Sequence, residues 1–249
     1  MSLLDAQPQV WKYNPLLANY NFFDFGVTDP WVCLDVQTYL CGKEVTIKTA
    51  GKEPEVKTCG ERVFVGWREY YRRGMTTGEH IANLRNRSNP PGYAVQVGFG
   101  DCASPGDVMA LGKDWCPMLA MPESKTPEMF KLGVQGIQGL LRPTPCKGPH
   151  LFLDPCCENT AWEFENYRWP KQTDAEQSIN ESKPDKRADH AMDAWRYGYV
   201  HLNVLGMQYH LDEVYRPSDF EHSSDAESFD LLGVERDETF FSLNRGGPW

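Results

Sequence analysis

The chain has 249 residues, 35 acidic against 25 basic, with 41% hydrophobic and 12% aromatic side chains. That length can bury the core of one large or two small domains, and its eight tryptophans, twelve phenylalanines and eleven tyrosines exclude a wholly disordered chain. No apolar run approaches the roughly 20 residues of a membrane-spanning helix. Residues Met1 to Val10 lack the basic and apolar regions of a secretory signal, so a soluble intracellular protein is expected.

The net charge of −10 is uneven. Residues 205–249 carry ten acids against Arg216, Arg236 and Arg245, which leaves −3 on the rest. Overall acidity therefore does not exclude a nucleic-acid-binding body with an acidic tail. The eight cysteines fit no secreted disulfide framework and contain no Cys-x-x-Cys pair, so reduced thiols are expected and the spacing argues against a structural zinc site. Cys156 and Cys157 read as packing residues near a helix start.

In chain order, residues 1–18 form a leader or linker interrupted by Pro8 and Pro15. A first strand follows at 21–26, and after Thr28-Asp29-Pro30 a second at 31–40, rich in β-formers. Residues 41–60 are lysine-rich without a clear period, either a hairpin arm or a loop. A third strand covers 62–71, the three pairing antiparallel in sequence. Thr76 or Thr77 caps a helix to about Arg87, stopped by Asn89-Pro90-Pro91-Gly92. Then come a strand at 93–99, a short helix from Pro105 and a short strand within 115–121. A helix runs from Pro127 to Leu141, followed by a strand at 151–153 and a helix from Glu158 to Tyr167. Residues 170–186 show no regular element. A last helix covers 187–205, and 206–249 is an acidic C-terminal tail. Strands first, then alternating strand and helix, predict an α/β domain over 19–205 with a mixed central sheet.

Four acids draw attention on chemical grounds. Asp24 lies in an apolar strand between Phe23 and Phe25, where a carboxylate is costly unless paired, hydrated or metal-bound. Asp101 sits at the carboxyl end of a strand, where acids in α/β sheets tend to face a site. Asp189 and Asp193 are four apart on a helix and share a face. Each has a bland reading too: Asp101 as a turn or cap, Asp189 as a first-turn residue, Asp193 as the ion-pair partner of Arg196, and His190 as a packing histidine.

Their order along the chain adds to this. Asp189-His190-Ala191-Met192-Asp193-Ala194-Trp195-Arg196-Tyr197 resembles the closing helix of the nuclease domain of tailed-bacteriophage terminase large subunits. Phe23-Asp24-Phe25-Gly26, Glu69-Tyr70-Tyr71-Arg72, Gly100-Asp101-Cys102-Ala103-Ser104 and Lys125 resemble that family's other segments in the same order, over about 20–204. The resemblance implies an RNase H-like, resolvase-like fold and a metal-dependent endonuclease of DNA packaging, acting on double-stranded, concatemeric viral DNA with little sequence specificity. It implies two divalent ions, Mg²⁺ or Mn²⁺, which take hard oxygen ligands. Asp24 would bridge them, Asp101 and Asp189 would complete one side each, Asp193 would be a further ligand or stand behind one, and His190 would orient a ligand.

DNA contacts are expected from Arg72, Arg73, Lys125, Lys183, Lys186 and Arg187, with Arg85 and Arg87 as further candidates. The implied partners are the terminase ATPase motor, the small terminase subunit and, through the tail, the portal or procapsid, in the host bacterial cytoplasm. Two departures stand out: no phosphate-binding G-x-x-x-x-G-K-[S/T] loop occurs, so no ATPase activity is expected of this chain, and Cys102 stands where many relatives carry proline. Either this is one domain of a larger protein or the nuclease is encoded apart from its motor. A junction resolvase or transposase-type nuclease, and a non-catalytic packaging adaptor, are the competing readings.

Overall fold

The computed structural model describes residues 12–47, 55–120, 125–142, 146, 148–167 and 189–204. The tail at 206–249, and Lys183, Lys186 and Arg187, lie outside the described residues. The chain forms β1 (Ala18–Asp24), β2 (Trp31–Leu40), β3 (Glu44–Ile47), β4 (Glu55–Thr58), β5 (Arg62–Arg72), α1 (Thr77–Asn86) and β6 (Val97–Phe99). It continues as α2 (Pro105–Asp114), β7 (Met118–Leu119), α3 (Pro127–Leu141), β8 (Leu151–Leu153), α4 (Glu158–Asn166) and α5 (His190–Tyr199), which runs into a π-helical turn at Val200–Val204. No helix among the described residues is long and apolar enough to cross a membrane.

Six strands make one sheet in the order β7-β6-β1-β2-β5-β8. β1, β2 and β5 are antiparallel, while β6 and β8 add parallel to β1 and β5. The expected mixed sheet is therefore the observed one. The 41–60 stretch is a hairpin, β3 and β4 pairing with each other in a separate two-stranded sheet. The strand expected at 93–99 shrinks to 97–99, because Pro90-Pro91-Gly92 delays entry and the Gln96 amide bonds instead to the Asn19 carbonyl. The leader is not loose throughout: Tyr13 packs against Trp67 and Tyr93, and the Tyr13 hydroxyl donates to the Gly92 carbonyl.

Helix starts follow local chemistry. Thr76 and Glu79 form a reciprocal capping box at α1, and Thr126 caps α3 with Pro127 at its first position. All seven residues of β1 are buried, so both faces of this central strand are covered. The period of two sends Tyr20, Phe22 and Asp24 to one face and Asn21 and Phe23 to the other. Tyr20 and Phe22 join the core formed with α5, around Trp195, Phe64 and Phe99. Phe23 joins a second core with Trp31, Ile81, Leu84 and Leu111, beneath α1 and α2. Each fully buried aromatic contributes about 2–3 kcal/mol.

Helix α5 lies very close to β1. Its contact face is made of Ala191, Ala194 and Gly198, three and four apart, and Trp195 meets Phe22 edge-on at 5.4 Å. A Cβ on Gly198 would fall into the Phe22 ring, which is fully buried. Gly198→Ala gains about 1 kcal/mol of helix propensity but overpacks a site whose neighbours are fixed, at about 1–3 kcal/mol or more. We expect a net loss of about 2 kcal/mol, read as a fall in melting temperature of about 4–8 °C. A melting point equal to that of the parent would show that α5 can ride outward freely.

Candidate active site

The topology brings acids from three elements to one end of the sheet. Phe22 pairs with Phe99 in parallel register. Asp24 and Asp101 each follow two residues later, at the carboxyl ends of adjacent strands. Asp24 faces α5, whose positions 190, 193 and 197 recur on one side.

Asp24 is 9% exposed. His190 Nδ1 is 3.0 Å from Asp24 Oδ2. Burial pushes the Asp24 carboxyl up to about 7; the hydrogen bond to His190 opposes this, and the charges of Asp193 and Asp101 add to it. His190 is raised above its ordinary value, first by its hydrogen bond to Asp24 and against the effect of burial.

Asp101 Oδ2 accepts from Lys125 Nζ at 2.6 Å, and its Oδ1 accepts from the Ala103 amide at 2.7 Å. Asp193 Oδ1 accepts from Arg196 Nε at 3.0 Å. The Arg196 guanidinium is almost fully buried and stacks over Phe130 and Tyr197. Tyr197, four residues beyond Asp193, reports on the whole group. Burial raises its phenol first, and then Asp193, Asp101 and Asp24 all raise it further. Nothing in the sequence marked Tyr197 beyond its place in the quoted motif.

Asp189 stands at the N-cap of α5 without a side-chain capping bond. Its charge raises His190 and Tyr167. The function of a cap is supplied from outside the helix. Glu163 Oε2, on α4, accepts from the amides of Ala191 at 2.7 Å and Met192 at 3.1 Å, while its Oε1 accepts from the Tyr71 hydroxyl at 2.8 Å. A buried carboxylate at a helix N-terminus satisfies orphan donors and complements the dipole. Glu69, on β5, does the same for α4 through Asn159 and Thr160. Glu163 therefore ties the acid-bearing helix to the sheet, a role the sequence does not announce.

Of the basic residues expected to face DNA, Arg72 and Arg73 are exposed at the end of β5. Trp31 pairs with Arg72 and Val32 with Tyr71, and Asp24 pairs with Val32, so both arginines sit on the Asp24 edge of the sheet. Lys125 is engaged by Asp101. Arg85 pairs with Asp114. Arg87 is not a surface contact at all: it is locked into a buried network around Asp35. Its helix-end position suggested exposure, but the chain turns its side chain inward over Trp115 and Tyr93.

The donor set at this end is all oxygen, three carboxylates of which Asp24 is raised first by burial and then by the charges of the other two. Such a set suits hard divalent cations, and the group is otherwise balanced by His190, Lys125 and Arg196.

No protein-family model and no curated protein matches the sequence. Solved structures do match its fold. Over 76% of this chain and 41% of that one, it superposes on the large terminase of a thermophilic bacteriophage with a TM-score of 0.54 at 18% identity. The same phage's large terminase in complex with ADP gives 0.53 at 17%, covering 76% of this chain and 40% of that one. The P22 large terminase nuclease domain gives 0.52 at 16% identity, covering 78% of this chain and 86% of that domain. The chain thus spans about two fifths of the thermophilic phage's large terminase and nearly all of the P22 nuclease domain. Its fold is that of the phage large terminase nuclease domains.

Proposed function

We propose that this chain is the metal-dependent endonuclease of a phage DNA-packaging terminase, hydrolysing phosphodiesters of concatemeric double-stranded DNA with little sequence preference. The observation that carries the reading is that β1, the end of β6 and α5 bring Asp24, Asp101 and Asp193 to the same end of the sheet, near enough for the charges of Asp101 and Asp193 to act on Asp24. The likeness in fold to the P22 nuclease domain supports it.

Asp24, Asp101 and an acid at the start of α5 would hold the divalent ions, Mg²⁺ or Mn²⁺, two in this reading. When bound, such ions activate a water and stabilise the leaving oxygen of an in-line displacement. Of the two acids at the start of α5, Asp193 is the one this reading favours as a ligand, because its charge acts on Asp24 and Tyr197; Asp189 would stand behind it. His190 fixes the Asp24 carboxylate through Oδ2. Its proton can pass to that oxygen when the site carries no cation. Lys125 and Arg196 hold Asp101 and Asp193 in place. Arg72 and Arg73 hold the phosphate backbone beside the acids and read no base, which fits low sequence preference. In the reaction, the water oxygen bonds to phosphorus as one P–O ester bond breaks, and the proton that the water gives up balances the one taken by the departing sugar oxygen. The partners of this reading are the terminase ATPase motor, the small terminase subunit and the portal or procapsid, in the host bacterial cytoplasm.

The test is cleavage of supercoiled plasmid with Mn²⁺ or Mg²⁺, beside a chelator control. Asp101→Asn and Asp193→Asn are expected to abolish nicking. Asp189→Asn should lose no more than about tenfold, the lower end of the cost of an outer partner. Equal loss in Asp189→Asn would return Asp189 to the ligand set. Preference for branched over linear DNA would replace the packaging enzyme by a resolvase.

A further inference from the structure

At the opposite end of the sheet a second, chemically different cluster assembles. Asp24 closes β1, which pairs antiparallel with β2, so Cys41, just past the end of β2, lies at the far edge from the acids. With strands rising about 3.3 Å per residue, the nine residues from Val32, opposite Asp24, to Cys41 separate the two by roughly 30 Å. Cys41, Cys59, Cys146 and His150 meet there, their four donor atoms all within 4.8 Å of one another. Cys41 Sγ is 3.8 Å from Cys146 Sγ. His150 Nε2 is 3.3 Å from Cys146 Sγ and 3.7 Å from Cys59 Sγ.

We propose that these four residues form a structural zinc site. In a tetrahedral site with Zn–S of about 2.3 Å and Zn–N of about 2.0–2.1 Å, neighbouring donor atoms stand about 3.5–3.8 Å apart. The observed separations fall on or close to that range. A disulfide needs about 2.05 Å between sulfurs, well short of the 3.8 Å between Cys41 and Cys146. Three thiolates and an imidazole are soft donors suited to zinc, unlike the carboxylates at the other edge. Four protein ligands leave no open position, so the site is structural rather than catalytic. His150 is 1% exposed and presents Nε2 to the sulfurs.

The surroundings give the metal a task. Cys41 and Cys59 flank the β3–β4 hairpin, and their amides bond across its base, Cys41 to the Glu61 carbonyl and Cys59 to the Lys43 carbonyl. That hairpin is a sheet of two strands, and every residue of β4 is exposed. An isolated two-stranded hairpin is marginal in water. Cys146 and His150 come from the connection leading into β8, so the ion would bolt the hairpin to the edge of the main sheet. Lys43 Nζ lies 3.3 Å from where a Cβ on Gly148 would stand, between the segments that carry Cys146 and His150 and the hairpin base. The spacing test of the sequence missed this because the ligands come from three separate segments rather than a Cys-x-x-Cys knuckle.

The experiment is metal analysis of the full chain purified without chelator, followed by replacement with Co²⁺. We expect about one zinc per chain, and a cobalt form with a thiolate-to-cobalt charge-transfer band and the d–d pattern of tetrahedral coordination. Cys41→Ser and Cys146→Ser should each bring zinc to background. Cys156→Ser, outside the cluster, and Asp24→Asn, at the acidic edge, should keep it. A folded parent with no zinc and no charge-transfer band overturns the site, whatever the variants do. So does a mass two hydrogens short, which would mean a Cys41–Cys146 disulfide instead.

Discussion

Asp24→Asn is expected to abolish metal-dependent plasmid cleavage while raising the stability of the metal-free protein above neutral pH. Replacing a group that merely supports a metal ligand costs 10–100-fold. Loss of the central ligand itself should therefore exceed about a hundredfold. The stability effect follows from burial. The Asp24 carboxyl titrates near 7 in the folded chain and near 3.8 as an ordinary carboxyl. Between those values the native state keeps a proton that the unfolded chain has lost. Stability due to this group is therefore intact below about pH 4, falls as pH rises towards 7, and stays low above it. The amide has no charge to bury. In chelator-containing buffer the variant should gain on the parent by about 1–2 kcal/mol at pH 8, or roughly 3–6 °C in melting temperature, with the advantage shrinking by pH 4.5. His190 adds to this loss at the upper end of the range, since its pKa is raised from 6.5 by Asp24 and its contribution, intact below that value, is lost as pH rises further. Full cleavage by the variant would sink the site, and a pH-independent difference in melting would sink the account of its burial.

Asp35→Ala is the opposite case, a buried acid whose removal should cost about 3–5 kcal/mol. Asp35 is fully buried in β2 and accepts from Arg68 Nε at 2.7 Å, the Arg87 guanidinium at 2.9 Å, the Tyr93 hydroxyl at 2.7 Å and Asn21 Nδ2 at 2.7 Å. Two guanidiniums lose their counter-charge when it goes. Because the loss is one of charge rather than shape, Asp35→Asn should be nearly as damaging, with melting temperature falling by roughly 10 °C in either variant. An Asp35→Asn protein as stable as the parent would show that the network's hydrogen bonds, and not its charges, do the holding.

Asp24 and Asp35 look alike in sequence, each a carboxylate inside an apolar strand. Three-dimensional context separates them. Asp35 faces two guanidiniums and is neutralised, whereas Asp24 faces one imidazole and two more carboxylates. Carboxylates gathered at a sheet edge offer hard oxygen donors to a cation. A balanced buried pair is a structural device.

Much of the fold was legible along the chain because its signals are local. Alternating β-branched and aromatic residues marked β2 and β5, and Thr76 with Glu79 and Thr126 with Pro127 marked helix starts, whereas Asp189, expected inside the last helix, stands just before it as the N-cap of α5. Asp24 and Asp101 were candidates from their flanking residues alone. What required tertiary structure was every question of partner. That Arg87 is buried, that Lys125 answers Asp101, that Glu163 caps α5 from another helix, and that the charge of Asp193 acts on Asp24 all depend on residues 24 to 169 positions apart being brought together. The same holds for Cys41, Cys59, Cys146 and His150. Dihedral preferences and burial periods act over a few residues and are written in the sequence. Charge neutralisation and metal-donor geometry act over a few ångströms of space, and only the packed chain decides which residues share them.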